Sequence, residues 1–157
     1  MQRSLSIEAK SSVLIKASPE EVFSYIKDLK YHYLWNPRLR NLSSTDELKL
    51  GSSYESESVF IRDIKIVTKN EVTKYVPNKQ IGLRNRYGMI TYDAEINLRR
   101  RGRLTNVSCT IDILTSSQAF GLTLPVLKQL AKRELQYDLD SLKIAVESDF
   151  ASQFEKA

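Results

Sequence analysis

The 157-residue chain contains little of what defines several protein classes. Its single cysteine, Cys109, allows no internal disulfide and excludes a metal site built from cysteines alone. Five glycines and four prolines are too few for a collagen-like or low-complexity chain. No apolar run approaches the roughly 20 residues of a transmembrane helix, and the start of the chain lacks the apolar stretch of a signal peptide. We therefore expect a cytoplasmic protein without a transmembrane segment.

The remaining composition is that of an ordinary globular protein. Hydrophobic residues make up 41% of the chain and charged residues 27%, values that exclude wholesale disorder. The length favours one domain, which we assign to residues 1–157. The net charge of +5 is common for a small domain. The dense basic cluster Arg99–Arg103 contains a glycine between strand-like segments, so it predicts a solvated hairpin turn. Aromatic residues do not alternate with these arginines, and we expect no nucleic-acid partner.

The first quarter of the chain carries strand and helix signals in succession. Alternating apolar residues over 6–17 predict a strand. Ser18 then predicts a helix N-cap, with Pro19 at the first helical position, and helically spaced apolar residues continue to about Asp28. A second, aromatic-rich segment over 31–36 is expected to end before Pro37.

In the middle of the chain, apolar and polar residues alternate with a period of two. The alternating segments are 54–61, 64–73, 81–87, 90–98 and 105–113. Each has one apolar and one polar face, which is typical of an antiparallel sheet covered on one side. The cover is a predicted helix over 123–150, whose apolar residues form one stripe at 100° per residue. The sequence therefore predicts an α+β fold.

Several stretches carry a pattern found in a known superfamily. They are residues 12–23 (SVLIKASPEEVF), Asp28 followed by Trp-Asn-Pro at 35–37, Gly-Ser-Ser-Tyr at 51–54, Val-x-x-Tyr-x-Pro at 72–77, and 138–147 (DLDSLKIAVE). Together they resemble the START-like (SRPBCC) superfamily, and within it the polyketide cyclase/dehydrase and lipid-transport branch. The segment 103–105 departs from that branch, where a glycine-threonine pair is common, and we expect a local turn difference. The resemblance implies the helix-grip fold: a curved antiparallel sheet of six to seven strands wrapped around one long C-terminal helix, with two short helices after the first strand.

The resemblance also implies a cavity between sheet and helix for a hydrophobic or amphipathic small molecule, such as a lipid, a polyketide or a quinone. The inward strand faces agree, because they hold more polar groups than a solid core usually does, and dispersed polar groups orient ligands. The predicted cavity residues are Trp35, Tyr54, Ser56, Ser58, Thr68, Asn70, Leu83, Asn85, Tyr92, Thr105, Val107, Cys109, Leu127, Ala131 and Leu135. The alternative is that the polar members bond one another, buried water or the backbone.

Three side chains that could carry chemistry have simpler interpretations. Cys109 lies on an apolar face, where a thiol behaves as a small hydrophobe rather than a nucleophile. His32 has no partner residues for a metal site, so we predict no metal and expect this side chain at the surface or at the cavity mouth. Asp138 falls within the apolar stripe of the last helix, so it is either a helix-edge carboxylate bonded to the sheet or a polar anchor. His32 and Asp138 are the candidate polar anchors.

The resemblance leaves three functions open. The first is a binding or carrier protein that uses no cofactor and exists as a monomer or homodimer. The second is an enzyme of cyclase, aromatase or dehydratase type, in which Tyr54, Tyr92 or His32 moves a proton within the same cavity. The third is a ribosome- or protein-interacting module that uses the Arg99–Arg103 turn as its contact.

Overall fold

The computed structural model describes residues 4–59, 64–116 and 123–155. Its strands are β1 (Ser4–Ile15), β2 (Leu39–Leu42), β3 (Ser53–Val59), β4 (Lys65–Val76), β5 (Gln80–Asn85), β6 (Ile90–Arg101) and β7 (Leu104–Ser116). Its helices are α1 (Pro19–Lys27), α2 (His32–Trp35) and α3 (Leu124–Glu155), and a 3-10 turn over Leu29–Tyr31 separates the first two. This order confirms the predicted helix-grip fold.

The strands form one antiparallel sheet in the order β1-β7-β6-β5-β4-β3-β2. The long helix α3 is fastened along β1 and the residue that follows it. Lys143 Nζ donates to the Leu14 carbonyl at 2.7 Å, and the Lys16 amide donates to Glu147 Oε1 at 3.0 Å. These bonds hold α3 across the sheet face on which the apolar residues lie.

Local sequence signals set the ends of several elements. Ser18 Oγ accepts from the Glu21 amide at 3.2 Å, and Pro19 occupies the first turn of α1, where no amide proton is needed. Gly102 adopts φ +63° in the turn between β6 and β7, a backbone conformation that residues with a side chain rarely adopt. The hairpin turn therefore consists of Gly102 and Arg103, whereas Arg99, Arg100 and Arg101, which we predicted within the turn, form the end of β6 and pair with β7.

The pairing of β4 with β5 contains an irregularity that the period-two pattern did not indicate. The register shifts between Val72 and Lys74, which turns Tyr75 inward against Phe23 with ring centroids 5.6 Å apart. Gly82 lies beside the irregularity, where an added Cβ would come within 2.9 Å of Thr73 Oγ1. The absence of a side chain at Gly82 therefore allows the two strands to approach here.

The outward face of the sheet is charged. Lys74 pairs with Glu95 at 2.9 Å, and Arg84 pairs with Asp93 at 3.0 Å. Exposed pairs of this kind contribute little to stability, but they keep the outer face solvated. The apolar and polar faces are thus separated as the alternation predicted.

The inner face is packed tightly at one end and loosely at the other. Under the C-terminal half of α3, Val72, Ile81 and Val107 are fully buried against Leu142 and Val146. Toward the other end, inward-facing side chains remain half-buried. We call this region the open half; its members are Ser56, Ser58, Leu83, Tyr92, Ala94, Ile111 and Ile113. Inward side chains that stay partly accessible indicate space between the sheet and the N-terminal half of α3.

Candidate functional site

Four polar side chains form a hydrogen-bonded line in the open half and beside it. Ser56 Oγ and Thr68 Oγ1 lie 2.5 Å apart, because β3 and β4 pair these two residues directly. Asn70 Nδ2 donates to Thr68 Oγ1 at 2.8 Å. The Asn70 Oδ1 accepts a hydrogen bond from the hydroxyl of Tyr92 on β6. We call Ser56, Thr68, Asn70 and Tyr92 the polar track.

Two tyrosines on this face remain protonated at neutral pH. Burial raises the pKa of the Tyr92 phenol to about 12, although its contact with Thr68 opposes the rise. Burial, with a smaller contribution from nearby Tyr92, raises the pKa of Tyr54 well above its ordinary value. Within the described part of the chain, the Tyr54 hydroxyl has no hydrogen-bond partner. Both phenols can therefore donate a hydrogen bond, but neither acts as a base.

Asp138 is an acidic side chain on the inward stripe of α3. It lies in the apolar stripe of the helix, is half-buried, and has no hydrogen-bond partner among the described residues. Burial raises the pKa of its carboxyl to about 8, the charge of Glu134 adds to the rise, and Arg38 opposes it. At neutral pH the group is therefore largely a neutral carboxylic acid.

Cys109 lies on the inner face of β7 and is buried in the core. Burial raises the pKa of the Cys109 thiol to about 12, and the negative charge of Asp138 adds to the rise. A thiol with so high a pKa is not a nucleophile at neutral pH, which agrees with its interpretation as a small hydrophobic side chain.

The segment after α2 is tied to α3 beside Asp138. Arg38 Nε donates to Glu134 Oε2, one helical turn before Asp138. A groove of about 1240 Å³ lies between this segment and α3, with Leu130 and Tyr137 among its lining residues. An ion pair and a surface groove thus adjoin the helix side of the open half.

His32 does not lie where we expected it. The prediction of a surface or cavity-mouth position is wrong, because the ring is buried and its Nε2 donates to the Ile26 carbonyl at 2.7 Å. Burial lowers the pKa of His32 to about 4, so the ring is neutral at pH 7. Trp35 packs against it with ring centroids 4.7 Å apart, and the Trp35 indole donates to the Tyr25 carbonyl at 2.9 Å. Both rings join the short helices to the core.

Three further predicted cavity residues have structural tasks in the fold. Asn85 closes the turn between β5 and β6, since its side chain donates to the Ile90 carbonyl at 2.8 Å and accepts from the Lys69 amide at 2.9 Å. Thr105 Oγ1 donates to the Ala17 carbonyl at 2.7 Å. Val107 is fully buried in the tightly packed half. For Asn85 and Thr105 the structure supports the alternative of bonds to the backbone.

On the helix side, the predicted cavity residues of α3 recur at helical spacing. Leu127 is buried, and Ala131 and Leu135 are half-buried, at the helical spacing that continues to Asp138. On the inner face of the sheet, Leu83, Ser56, Ser58 and Tyr92 are half-buried as well. Partly accessible side chains thus occur on both of the elements that would enclose the predicted cavity.

Sequence reasoning missed a bond that spans sheet and helix. Ser11 Oγ on β1 donates to Gln136 Oε1 on α3, two residues before Asp138. Ser11 shares the inward parity of Ala9 and Val13, so the alternation of β1 was a signal for it. The bond places a polar contact at the β1 side of the same helix turn.

Other features of the described residues lie apart from this region. In those residues, no three His, Cys, Asp or Glu side chains are close enough to hold a metal ion, and no helix is long and apolar enough to cross a bilayer. Arg100 in the basic cluster pairs with Glu20 at 3.6 Å, and both side chains are exposed.

The chain is similar to known proteins in sequence and in fold. Residues 6–147 match the family model described as polyketide cyclase/dehydrase and lipid transport. No curated protein matches the chain.

Solved structures share the fold at low sequence identity. The protein TTHA0849 from Thermus thermophilus is 18% identical with a TM-score of 0.79, over 90% of this chain and 98% of that chain. A START superfamily protein from Mycobacterium smegmatis is 19% identical with a TM-score of 0.76, over 90% and 97%. The di-domain ARO/CYC protein StfQ from the steffimycin biosynthetic pathway is 8% identical with a TM-score of 0.78, over 94% of this chain and 53% of that chain.

Proposed function

The chain belongs to the polyketide cyclase/dehydrase and lipid-transport family of the START superfamily, and from this we propose that it binds one hydrophobic or amphipathic small molecule between its sheet and α3. The observation that carries the proposal is the open half, where apolar side chains stay half-buried around a polar track. A ligand would cover the apolar surface that packing leaves accessible. Burial of that surface contributes about 25 cal/mol per Å².

The arrangement of polar groups supports an amphipathic ligand. The fully buried side chains cluster in the tightly packed half, whereas the open half keeps accessible apolar surface. Its apolar members Leu83 and Ile113 would contact the body of a lipid, polyketide or quinone. The Tyr54 hydroxyl, which has no partner among the described residues, is free to bond the polar end of such a ligand. One unpaired hydroxyl satisfied by a ligand contributes about 0.5–1.5 kcal/mol.

Binding without chemistry is the simpler function for these side chains. Cys109 and both tyrosines keep their protons at neutral pH, because burial raises the pKa of each. The Nε2 of His32 already donates a hydrogen bond to the Ile26 backbone carbonyl. Within the described residues, no serine, threonine or cysteine side chain is hydrogen-bonded to a histidine or a carboxylate, as activated nucleophiles of these types are.

A reaction of cyclase or dehydratase type is the second candidate, and one observation favours it. Asp138 on α3 and Tyr92 on β6 both hold a proton at neutral pH, because burial raises the pKa of each. A dehydration needs a proton donor at the departing hydroxyl, and a carboxyl of raised pKa suits that role. The shared fold with StfQ, an ARO/CYC protein, is consistent with this candidate.

The binding proposal is tested with an environment-sensitive apolar dye. We expect one dye per chain, since one enclosed site is proposed rather than an exposed patch. Ala131→Trp should fill the site from the helix side and abolish the dye signal, whereas Lys132→Trp at the exposed neighbouring position should retain it. Circular dichroism establishes that both variants are folded. Unchanged dye binding by a folded Ala131→Trp variant would place the site elsewhere.

The two candidates separate once the ligand is known. Native mass spectrometry of protein purified from its own source identifies a retained molecule. Tyr92→Phe should then weaken binding about three- to tenfold if the hydroxyl only orients the ligand. If Tyr92 is a general acid, the same change should lower turnover by roughly 10² to 10⁴ with little effect on affinity.

A further inference from the structure

We propose that the outer face of α3 binds the same face of a second copy of this chain, so that the two helices form an antiparallel pair about a two-fold axis. This face points away from the sheet, and the inward stripe of α3 takes no part in the contact. The contact is therefore independent of the proposed function, and a ligand and a second copy would bind to opposite sides of the same helix.

Residues spaced three and four apart recur along the outer face of α3. The members of this set are Val126, Leu130, Arg133, Tyr137, Asp140 and Ile144, and we call them the outer stripe. Their alternating steps of four and three residues are those of a coiled-coil seam. At about 100° per residue, the outer stripe lies opposite Leu139, Leu142 and Val146, which are buried in the core. The helix therefore has two stripes, and the sheet covers one of them.

The outer stripe leaves large apolar side chains accessible. Ile144 is 66% exposed, Tyr137 55% and Val126 40%, and Leu130 is half-buried. A solvated helix face carries polar residues at such positions, and a continuous apolar stripe instead marks a contact surface. All members of the outer stripe except Ile144 line the groove of about 1240 Å³ beside Arg38. A second helix laid along the stripe would fill this groove.

The charges of the outer stripe identify that second helix as another α3. Among the described residues, Arg133 has no acidic partner, and Asp140 accepts a hydrogen bond only from the neutral Gln136, at 2.9 Å. One cation and one anion, two helical turns apart, are thus left without an ion pair on the same stripe. In an antiparallel pair whose axis passes near Gln136, Arg133 of each copy lies beside Asp140 of the other. The two-fold symmetry then forms two ion pairs from these residues.

The same axis also brings the apolar members together. Val126 near one end of the stripe meets Ile144 of the other copy, and the ring of Tyr137 meets the guanidinium of Arg133 of the other copy. The stripe is about 27 Å long at 1.5 Å per residue and about 10 Å wide, less than the roughly 800 Å² that each partner buries in a standard interface. We therefore expect a weak dimer, with a dissociation constant on the order of tens of micromolar.

An anionic membrane is the other surface that a helix face with apolar and basic residues would suit. The acidic member of the outer stripe argues against it. Asp140 lies between Tyr137 and Ile144, where it would face anionic headgroups without a cation of its own. The antiparallel pair supplies that carboxylate with an arginine, so the observations favour a second copy.

Sedimentation velocity at protein concentrations from about 2 to about 200 µM tests the assembly. The average mass of the native chain should rise from that of one copy towards that of two. Arg133→Asp and Asp140→Arg each place like charges together and should raise the dissociation constant at least about tenfold. The double variant restores opposite charges and should dimerise within about threefold of the native protein. A mixture of the two single variants should likewise form a mixed dimer.

Two controls match these changes in exposure and charge. Ile144→Ser should weaken the dimer about tenfold, whereas Leu50→Ser, at a position that is 67% exposed before β3, should leave it unchanged. Arg101→Asp on β6 makes the same change of charge as Arg133→Asp and should also leave the dimer unchanged. Circular dichroism establishes that each variant is folded. If a single charge variant does not fold, the double variant and Ile144→Ser still decide the outcome.

Two results would overturn the proposal. One is a native chain that remains a single copy up to about 200 µM, or a dimer that no change in the outer stripe weakens. The other is a native chain that stays a single copy but binds phosphatidylserine vesicles, with the binding lost in Ile144→Ser, since the stripe would then contact a membrane. The dye assay measures the ligand site separately, so either result leaves the binding function standing.

Discussion

Replacing Asp138 with Asn should stabilise the protein at alkaline pH and have little effect at acidic pH. Burial raises the pKa of this carboxyl from 3.8 to about 8 in the folded chain. Between those values the folded chain holds a proton that the unfolded chain has released, so the stability of the native protein falls as the pH rises through this window. Asparagine does not ionise, and the variant loses this part of the pH dependence.

The size of the effect follows from the rise in pKa. Each pKa unit corresponds to about 1.36 kcal/mol, which gives an upper limit of about 5 to 6 kcal/mol. The side chain is only half-buried, and Arg38 stabilises the ionised form, so the effective cost of ionisation is smaller. We expect the free energy of unfolding of the variant to exceed that of the native protein by about 2 to 3 kcal/mol at pH 9, relative to the difference at pH 5.

Urea unfolding at pH 5, 7 and 9 measures this difference directly. Asp140→Asn is the control, because Asp140 is exposed and accepts from Gln136 at 2.9 Å. Its curve should run parallel to that of the native protein. A difference between native protein and Asp138→Asn that stays constant from pH 5 to pH 9 would refute the reasoning, since the carboxyl would then ionise alike in both states.

Three other perturbations test separate parts of the structure. Burial lowers the pKa of His32 from 6.5 to about 4, so the free energy of unfolding of the native protein should fall as the pH drops through that range. In urea titrations at pH 7 and 4.5, His32→Gln should remove about 1 to 2 kcal/mol of this decrease. Thr105→Val leaves the Ala17 carbonyl without its donor, so unfolding free energy should drop by about 1 to 3 kcal/mol with dye affinity unchanged; a loss of dye binding would contradict the structural role. Replacing Arg99–Arg101 with serines should leave dye affinity within about twofold, because the cluster begins seven residues, roughly 24 Å, along β6 from Tyr92. Salt-dependent binding to RNA or anionic vesicles that this variant loses would instead give the turn a partner.

Much of the fold could be predicted because its signals are local. Alternation of period two identified β3 to β7, and the Ser18-Pro19 pair identified the start of α1. The strand β2 has four residues of mixed character, too few for a period to show. The shift after Val72 also escaped the pattern, because it depends on how closely β5 approaches at Gly82.

The candidate site divides in the same way. The alternation of residues along each strand placed five polar side chains on the inner face without any knowledge of their partners: Tyr54, Ser56, Thr68, Asn70 and Tyr92. Which of them bond one another depends on the register of β3, β4 and β6, which joins residues far apart in the chain. The raised pKa of Asp138 likewise depends on burial and on the nearby charges of Glu134 and Arg38, which no local pattern encodes.

The sequence by itself determined which side chains point inward, because the geometry of strand and helix imposes that choice residue by residue. Only the tertiary structure decided what each inward side chain meets. Asn85, Thr105 and His32 share the polarity of the ligand-site candidates, but each meets a backbone group and is satisfied by it. Asp138 lies between Leu135 and Leu142 on α3 and has no such partner among the described residues. That difference arises from the packing of distant segments, where the cost of burying a polar group depends on its neighbours and not on its own identity.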